Sequence, residues 1–176
     1  LSAGYLRPAE GIEPFVTLTG KIRGGVNWKE KAYYVFGEEV RMVNADGSTT
    51  LIDKIADDGK PVRFAFSFDR LGIASGGKLY YLAGGVITQV TDIDIGMVND
   101  VRYLAGYFLT TDGDYIIQTR LTDPTAVTPY SYGSSDIDPD PIVGLLVNRN
   151  ELHAVNRYTI ETFAVVGGID SVVEYF

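Results

Sequence analysis

The carboxylates Asp136, Asp138 and Asp140 stand at alternate positions, and such a triplet could offer oxygen ligands to a hard cation such as calcium. The EF-hand version of that chemistry needs a central glycine and a distal glutamate, and neither is present. A solvated loop is therefore expected there, and no metal site is assigned. Asp92 and Asp94 alternate with Ile93 and Ile95, the pattern of a strand with one wet face. Paired carboxylates also perform glycoside hydrolysis, but that chemistry needs sugar-binding aromatics and basic residues gathered at one mouth, and nothing in the sequence gathers them. Tyr80, Tyr81, Tyr115 and Tyr158 recur at corresponding places along the chain, so packing is expected of them before ligand stacking.

His153 is the single histidine, set between Leu152 and Ala154. A Ser-His-Asp triad or a histidine metal site would require partners that no motif announces, and no Gly-x-Ser-x-Gly elbow occurs. A structural histidine is expected, and no catalytic residue is assigned. The glycines of Gly20-Lys-Ile-Arg-Gly24-Gly25 lack the Gly-Lys-Ser/Thr ending that cradles a nucleotide, so no cofactor is expected. Lys21, Arg23, Lys29 and Lys31 form a mild basic cluster around Val26 and Trp28. That spacing fits the wet face of a strand, with contact to DNA or an acidic partner as the other reading. Trp28, the sole tryptophan, suits either a core or an interface anchor. Trp28, Lys21 and Arg23 are thus the candidate interface residues.

These side chains belong to a chain of 176 residues in which Asp and Glu outnumber Lys and Arg by 23 to 15, for a formal charge of -8. Such a surface repels phosphate, which disfavours direct binding to nucleic acid. There is no cysteine, so disulfides and thiolate metal sites are excluded. No apolar run approaches the roughly 18 residues that span a bilayer, so no membrane partner is expected. The length suits one domain with its own core. The chain opens on Leu1 and closes on the apolar stretch Val172 to Phe176, and a fragment of a longer protein is expected.

Strand signals dominate: Val, Ile, Thr, Tyr and Phe recur in short runs separated by Gly, Asp, Asn and Pro. Helical periodicity is nearly absent, with one weak and short candidate at Thr50 to Asp57. The runs repeat. One unit reads Val62–Ser67, Leu71–Ala74, a Ser75-Gly-Gly-Lys78 turn, Leu79–Leu82 and Val86–Val90; others start at Asn99 and Pro141, and a weaker copy starts at Lys31. Tight turns near residues 37, 77, 113 and 156 give a period of roughly 36 to 43 residues, the signature of propeller blades. A lone four-stranded sheet cannot bury both faces and must stack on a neighbour. Asp46-Gly47 and Asp112-Gly113 are expected to form two-residue primed turns, and Ser131 to Pro141 a loop. The expected fold is all-β, a β-propeller-like array of about four small antiparallel sheets. A lead-in covers 1–25 and a propeller-like domain covers 26–176, with units near 26–60, 61–97, 98–130 and 141–176.

Gly4-Tyr-Leu-Arg7 followed by Gly11-Ile12, the Gly76-Gly-Lys-Leu-Tyr80 turn, and Val101 through Asp114 resemble the packaged-DNA stabilisation proteins of short-tailed phages. Asp140–Leu146, Glu151–Val155 and Thr159–Phe163 resemble that family's next blade in order and spacing. The resemblance implies a virion structural protein and no enzyme: a tail accessory or head completion hub at the portal vertex that closes the exit channel and stabilises packaged DNA. The partners it implies are the portal adaptor ring and tail needle or fibre and spike proteins, within a homo-oligomeric ring and without sequence-specific DNA binding. The location it implies is the virion tail, after assembly in the host cytoplasm. The alternative is a carbohydrate-binding or carbohydrate-active propeller, whose Asp and Tyr side chains would converge from different blades on one concavity. A scaffold domain that binds peptides is the third reading, and it predicts an exposed apolar patch.

Overall fold

The structure, a computed structural model, describes residues 11, 13–135, 140–166 and 173–175, and no side chains at 129–131 or 173–175. Its elements are sixteen strands: β1 Ile22–Trp28, β2 Lys31–Phe36, β3 Glu39–Val43, β4 Thr49–Lys54, β5 Arg63–Phe66, β6 Leu71–Ser75, β7 Lys78–Ala83, β8 Val86–Gln89, β9 Asp100–Leu104, β10 Tyr107–Thr111, β11 Tyr115–Thr119, β12 Val127–Ser134, β13 Ile142–Asn148, β14 Glu151–Asn156, β15 Ile160–Val165 and β16 Val173–Tyr175. They form four antiparallel sheets, each a meander of four consecutive strands. The first and third turns of each meander lie at one end of the stack, the hairpin end. The second turn and the departure to the next sheet lie at the other, the connection end.

The burial pattern shows how the sheets stack. All five residues of β6 are buried, because sheet 2 is covered on both faces. Strand β14 alternates between half-buried and buried residues, because sheet 4 is covered on one face. Three apolar layers result. Trp28, Val35, Val40, Leu71, Ile73 and Leu82 fill the layer between sheets 1 and 2. Leu79, Tyr81, Val101, Phe108 and Ile117 fill the second, and Leu109, Ile116, Leu145, Leu152 and Phe163 the third. Period-2 alternation in β7 sends Tyr80 and Leu82 to the first layer and Leu79 and Tyr81 to the second.

Tight hairpins hold the meanders. Lys29 and Glu30 join β1 to β2 with φ of 51° and 60°, a two-residue primed turn made without glycine. Gly76-Gly77, Gly84-Gly85 and Ala105-Gly106 make equivalent turns, also with positive φ at both positions.

Several expectations are corrected. Asp46-Gly47 sits in a five-residue connection, residues 44–48, closed by Asn44 N–H on the Ser48 carbonyl. Asp112-Gly113 sits in a three-residue connection, where the Asp112 carboxylate accepts from the amides of Asp114 and Tyr115. In both, the aspartate supplies an Asx-type acceptor to the turn, and glycine alone takes positive φ. Ile93–Ile95 is a 3-10 turn, not a strand; Asp92 caps it and also accepts from the Val127 amide. Residues 131–134 belong to β12, so that loop is shorter than expected. The weak helical candidate is largely strand β4. Strand β1 begins at Ile22, inside the segment 1–25, and sheet 3 runs to Ser134, beyond residue 130.

Candidate interaction surfaces

The polar contacts that join sheet to sheet differ at every joint. At the first joint, the register of β1 on β2 shifts between Ile22 and Gly24, a bulge that re-aims the Arg23 side chain. Its guanidinium lies 1% exposed and donates to the carbonyls of Lys60 (2.8 Å), Gly37 (2.9 Å) and Ala56 (3.1 Å), to Asp58 (2.9 Å) and to Ser75 Oγ (2.8 Å). Asp57 completes the charge balance at 3.2 Å. Backbone follows side chain here, since the Val62 amide donates to the Arg23 carbonyl. Next to it, Gly24 leaves room for the Phe64 ring, which would lie 3.0 Å from a Cβ. The glycine pair is thus strand backbone under close packing.

Trp28 is 7% exposed in the first layer, and its indole N–H donates to the Ser67 carbonyl at 3.0 Å. It is a core residue that ties sheet 1 to the β5–β6 turn. Lys29 Nζ lies 4.8 Å from the Trp28 ring centroid and 5.3 Å from that of Phe68, a cation–π arrangement at the hairpin end. Phe68 is 92% exposed, so an apolar and basic patch is present there. In the same turn the Arg70 guanidinium and the Ser67 hydroxyl hold the Asp69 carboxyl down at about 2. Lys21 is exposed and donates to the Gly59 carbonyl.

At the second joint Phe108 packs edge-on to Tyr81 at 4.9 Å and against Tyr103 at 5.0 Å, and burial pushes the Tyr81 phenol up. The Val98 amide donates to the Gly77 carbonyl. At the third joint, Asp100 carries the link: one oxygen accepts from the Leu145 amide at 2.9 Å, the other from Arg102 at 2.8 Å.

The remaining sequence candidates separate. Asp140 is buried, and its Oδ2 accepts from the amides of Tyr158 and Thr159 and from the Thr159 hydroxyl. It anchors the β14–β15 turn and is not a solvated loop residue, while Asp136 and Asp138 lie outside the described residues. Tyr80 and Tyr81 are buried as expected, but Tyr115 and Tyr158 are 43% and 79% exposed. Tyr115 opens its strand and Tyr158 precedes one, so neither shares the register of Tyr80. His153 Nδ1 pairs with Thr162 Oγ1 at 2.9 Å across β14 and β15, a cross-strand contact. Asp94, Asp112, Tyr115 and Tyr132 line a groove of about 310 Å³, which belongs to sheet 3 and its lead-in turn and is not a mouth shared by several sheets.

Two kinds of open surface are left. The connection end gathers Asp57, Asp58, Asp94, Asp112 and Asp114, with the exposed Lys21, Lys60 and Arg157 among them. The two outer faces of the stack are apolar. On sheet 1, Phe15, Ile22, Ala32, Tyr34 and Val43 line a groove of about 420 Å³; on sheet 4, Val143 and Ile160 are 59% and 67% exposed.

Four-stranded meanders stacked face to face define a β-propeller architecture. Solved structures share it. The computationally designed Ika4 protein superposes with a TM-score of 0.62 at 10% identity, over 88% of this chain and 99% of that one. Hsv2 of Kluyvelomyces marxianus does so with 0.59 at 13% identity, over 86% of this chain and 49% of that one. The extracellular domain of the hybrid two component system BT4673 of B. thetaiotaomicron gives 0.61 at 13% identity, over 93% and 24%. At these identities the likeness is one of fold. No curated protein sequence matches the chain. Residues 1–175 match the Phage_stabilise family, described as Bacteriophage P22 Gp10, beta-propeller. The chain belongs to that family, and the family supports a phage structural role.

Proposed function

We propose that this chain is a structural part of a tail hub, a head completion factor that helps close the portal channel and hold packaged DNA while seating other tail proteins. The observation that carries the reading is the family match across residues 1–175. The physical character of the stack suits it. Confined DNA pushes outward, and a plug resists through interlocked, stiff parts. Layers whose central residues are fully buried, such as Val35, Leu71, Ile73 and Leu109, supply stiffness through close packing. A chain with a formal charge of -8 repels phosphate on average, which suits DNA that must slide past it. The apolar outer faces of sheets 1 and 4 are the surfaces on which neighbouring protein would stack, either the portal adaptor ring, the tail needle or spike proteins, or another copy in a ring. Lys21, Lys31 and the Lys29–Phe68 patch are the exposed members of the basic cluster available to such a neighbour, since Arg23 and Trp28 are committed to the first joint.

The test is mass spectrometry of purified virions and of isolated tails. Peptides of this chain in the tail or portal-vertex fraction support the hub, and their absence from particles that contain the other tail proteins refutes it.

A further inference from the structure

A hollow of about 340 Å³ opens at the hairpin end over the first joint, lined by Trp28, Lys29, Phe66, Ser67, Phe68 and Tyr103. Four of these six residues are aromatic, and Phe66 and Phe68 are 51% and 92% exposed. The turn that carries Phe68 is fixed by bonds that do not involve its ring. The Ser67 amide donates to the Arg70 carbonyl at 2.9 Å, and the Ser67 hydroxyl accepts from the amides of Asp69 and Arg70. Arg70 grips the Asp69 carboxylate with two nitrogens, and from sheet 1 the Trp28 indole holds the Ser67 carbonyl. Phe68 is thus presented to solvent on a fixed backbone, which lowers the entropy cost of any contact made to it.

Positive charge marks the rim. Lys29 Nζ lies over the Trp28 and Phe68 rings, and among the described residues no carboxylate pairs with it. Lys31 is the cross-strand partner of Trp28, so its side chain leaves sheet 1 on the same side as the indole. It is exposed and, among the described residues, also lacks a carboxylate partner. Glu30 is the one acid of the β1–β2 turn, and Asp69 is neutralised by Arg70. The rim is therefore net basic on a chain whose formal charge is -8. An apolar hollow with a charge at its edge suits a ligand with an apolar body and the opposite charge. A second hollow of about 330 Å³ shares Ser67 and Tyr103 with the first and continues past Arg70, Leu121 and Pro124. Together they form a track longer than one side chain.

We propose that this track binds an extended segment of a neighbouring protein, one that presents an aromatic or aliphatic side chain with an aspartate or glutamate beside it. The apolar side chain fills the hollow between Phe66 and Phe68, and the carboxylate takes the Lys29 amine from the ring faces. The proposal deepens the hub reading and rests on it only for the neighbour's being a tail protein. A nucleic-acid strand would also stack bases on Phe68, but it needs cations along its backbone, and the second hollow offers only Arg70, already paired with Asp69.

The test pans the intact chain against a ribosome-displayed library of short random peptides. Synthetic copies of the enriched peptides are then titrated against Trp28 emission, since that ring lines the hollow. The expected binders combine an apolar residue with adjacent Asp or Glu. Phe68→Ser weakens them by at least about thirtyfold, the size of a hot-spot truncation. Lys29→Asn weakens them by about tenfold and flattens their salt dependence. Phe68 is exposed at a turn, and asparagine tolerates the positive φ of position 29, so both variants keep the wild-type urea midpoint. A library that yields no binder, binders without acidic residues, or binders indifferent to F68S overturn the proposal. A labelled oligo(dT) that binds the wild type and not F68S overturns it in favour of base stacking. The assay contains no virions, so its failure is distinct from absence of the chain from particles, which refutes the hub.

Discussion

Replacing Arg23 by methionine tests whether the first joint is held by the guanidinium or by the apolar layer behind it. Methionine retains much of the stem and its packing, so the change isolates the charged head. In the wild type that head satisfies three carbonyls, Ser75 Oγ and two carboxylates while 1% exposed. In the variant the Ala56 carbonyl keeps the Ser75 hydroxyl at 2.6 Å. Asp57 and Asp58, 38% and 32% exposed at the side chain, regain water. The Gly37 and Lys60 carbonyls lose a charged donor with incomplete replacement. Removing one member of a buried charge network costs about 3–5 kcal/mol, and rehydration of the two aspartates puts the expected loss at the lower end, about 3 kcal/mol. That corresponds to a fall of about 6–12 °C in Tm for a chain of this size. Arg23→Lys keeps the charge but offers one donor head in place of the planar fork, and loses about half as much. Urea unfolding followed by Trp28 emission is the assay. Trp28 is the only tryptophan and bonds Ser67 across the same joint. Because stacked repeats behave as units joined by separable interfaces, Trp28 emission in R23M moves at lower urea than backbone circular dichroism does. A loss below about 1 kcal/mol, the size of an exposed ion pair, refutes the reasoning.

Gly76→Ala places a Cβ 2.6 Å from the Ala56 Cβ at φ +58°, and a non-glycine residue held in that region costs about 1–3 kcal/mol, readable by urea denaturation. The Asp69 carboxyl titrates at about 2 in the folded chain, below its ordinary value of 3.8. Its contribution is therefore complete above pH 4 and disappears as pH falls towards about 2. Asp69→Asn removes that acid-dependent component; the side chain is 58% exposed, so the effect stays under about 1 kcal/mol. Ile22→Lys and Ile160→Lys, on the outer faces of sheets 1 and 4 where these residues are 58% and 67% exposed, leave the isolated chain within about 0.5 kcal/mol of wild type. Complementation of a phage lacking this protein reads their other effect, a loss of incorporation into particles.

The stacked meanders are legible in the sequence because each sheet is local. Alternation in segments such as Leu79–Leu82, punctuated by Gly-Gly turns, requires only neighbouring residues to be read. Arg23 is different: its partners lie 14 to 52 positions away, and a basic residue between lysines reads as a wet face until those carbonyls are brought to it. Asp92 and Asp94 show the same limit at short range. Alternation predicts a strand, but the carboxylate of Asp92 captures the amides of Asp94 and Val127 and curls the segment into a turn, local capping winning over pattern. The Lys29-Glu30 turn was hidden because primed turns are recognised by glycine or asparagine, and here cross-strand pairing of Trp28 with Lys31 holds two larger residues at positive φ. Asp140 looked like one of three loop carboxylates because its burial depends on the β14–β15 turn folding back over it.

The local closure of each meander sets an order of events during synthesis. Sheet 1 can form as soon as residue 54 leaves the ribosome, since all its pairings lie among residues 22–54. Its inner face, with Trp28 and Val35, has no cover until sheet 2 follows, and Arg23 waits for Ser75, 52 residues later. At about 5–20 residues per second, that wait lasts about 3–10 s, far longer than the microseconds in which a hairpin forms. A nascent chain therefore spends seconds as a formed sheet with one bare apolar face, and the same exposure passes to each new sheet until the next one covers it.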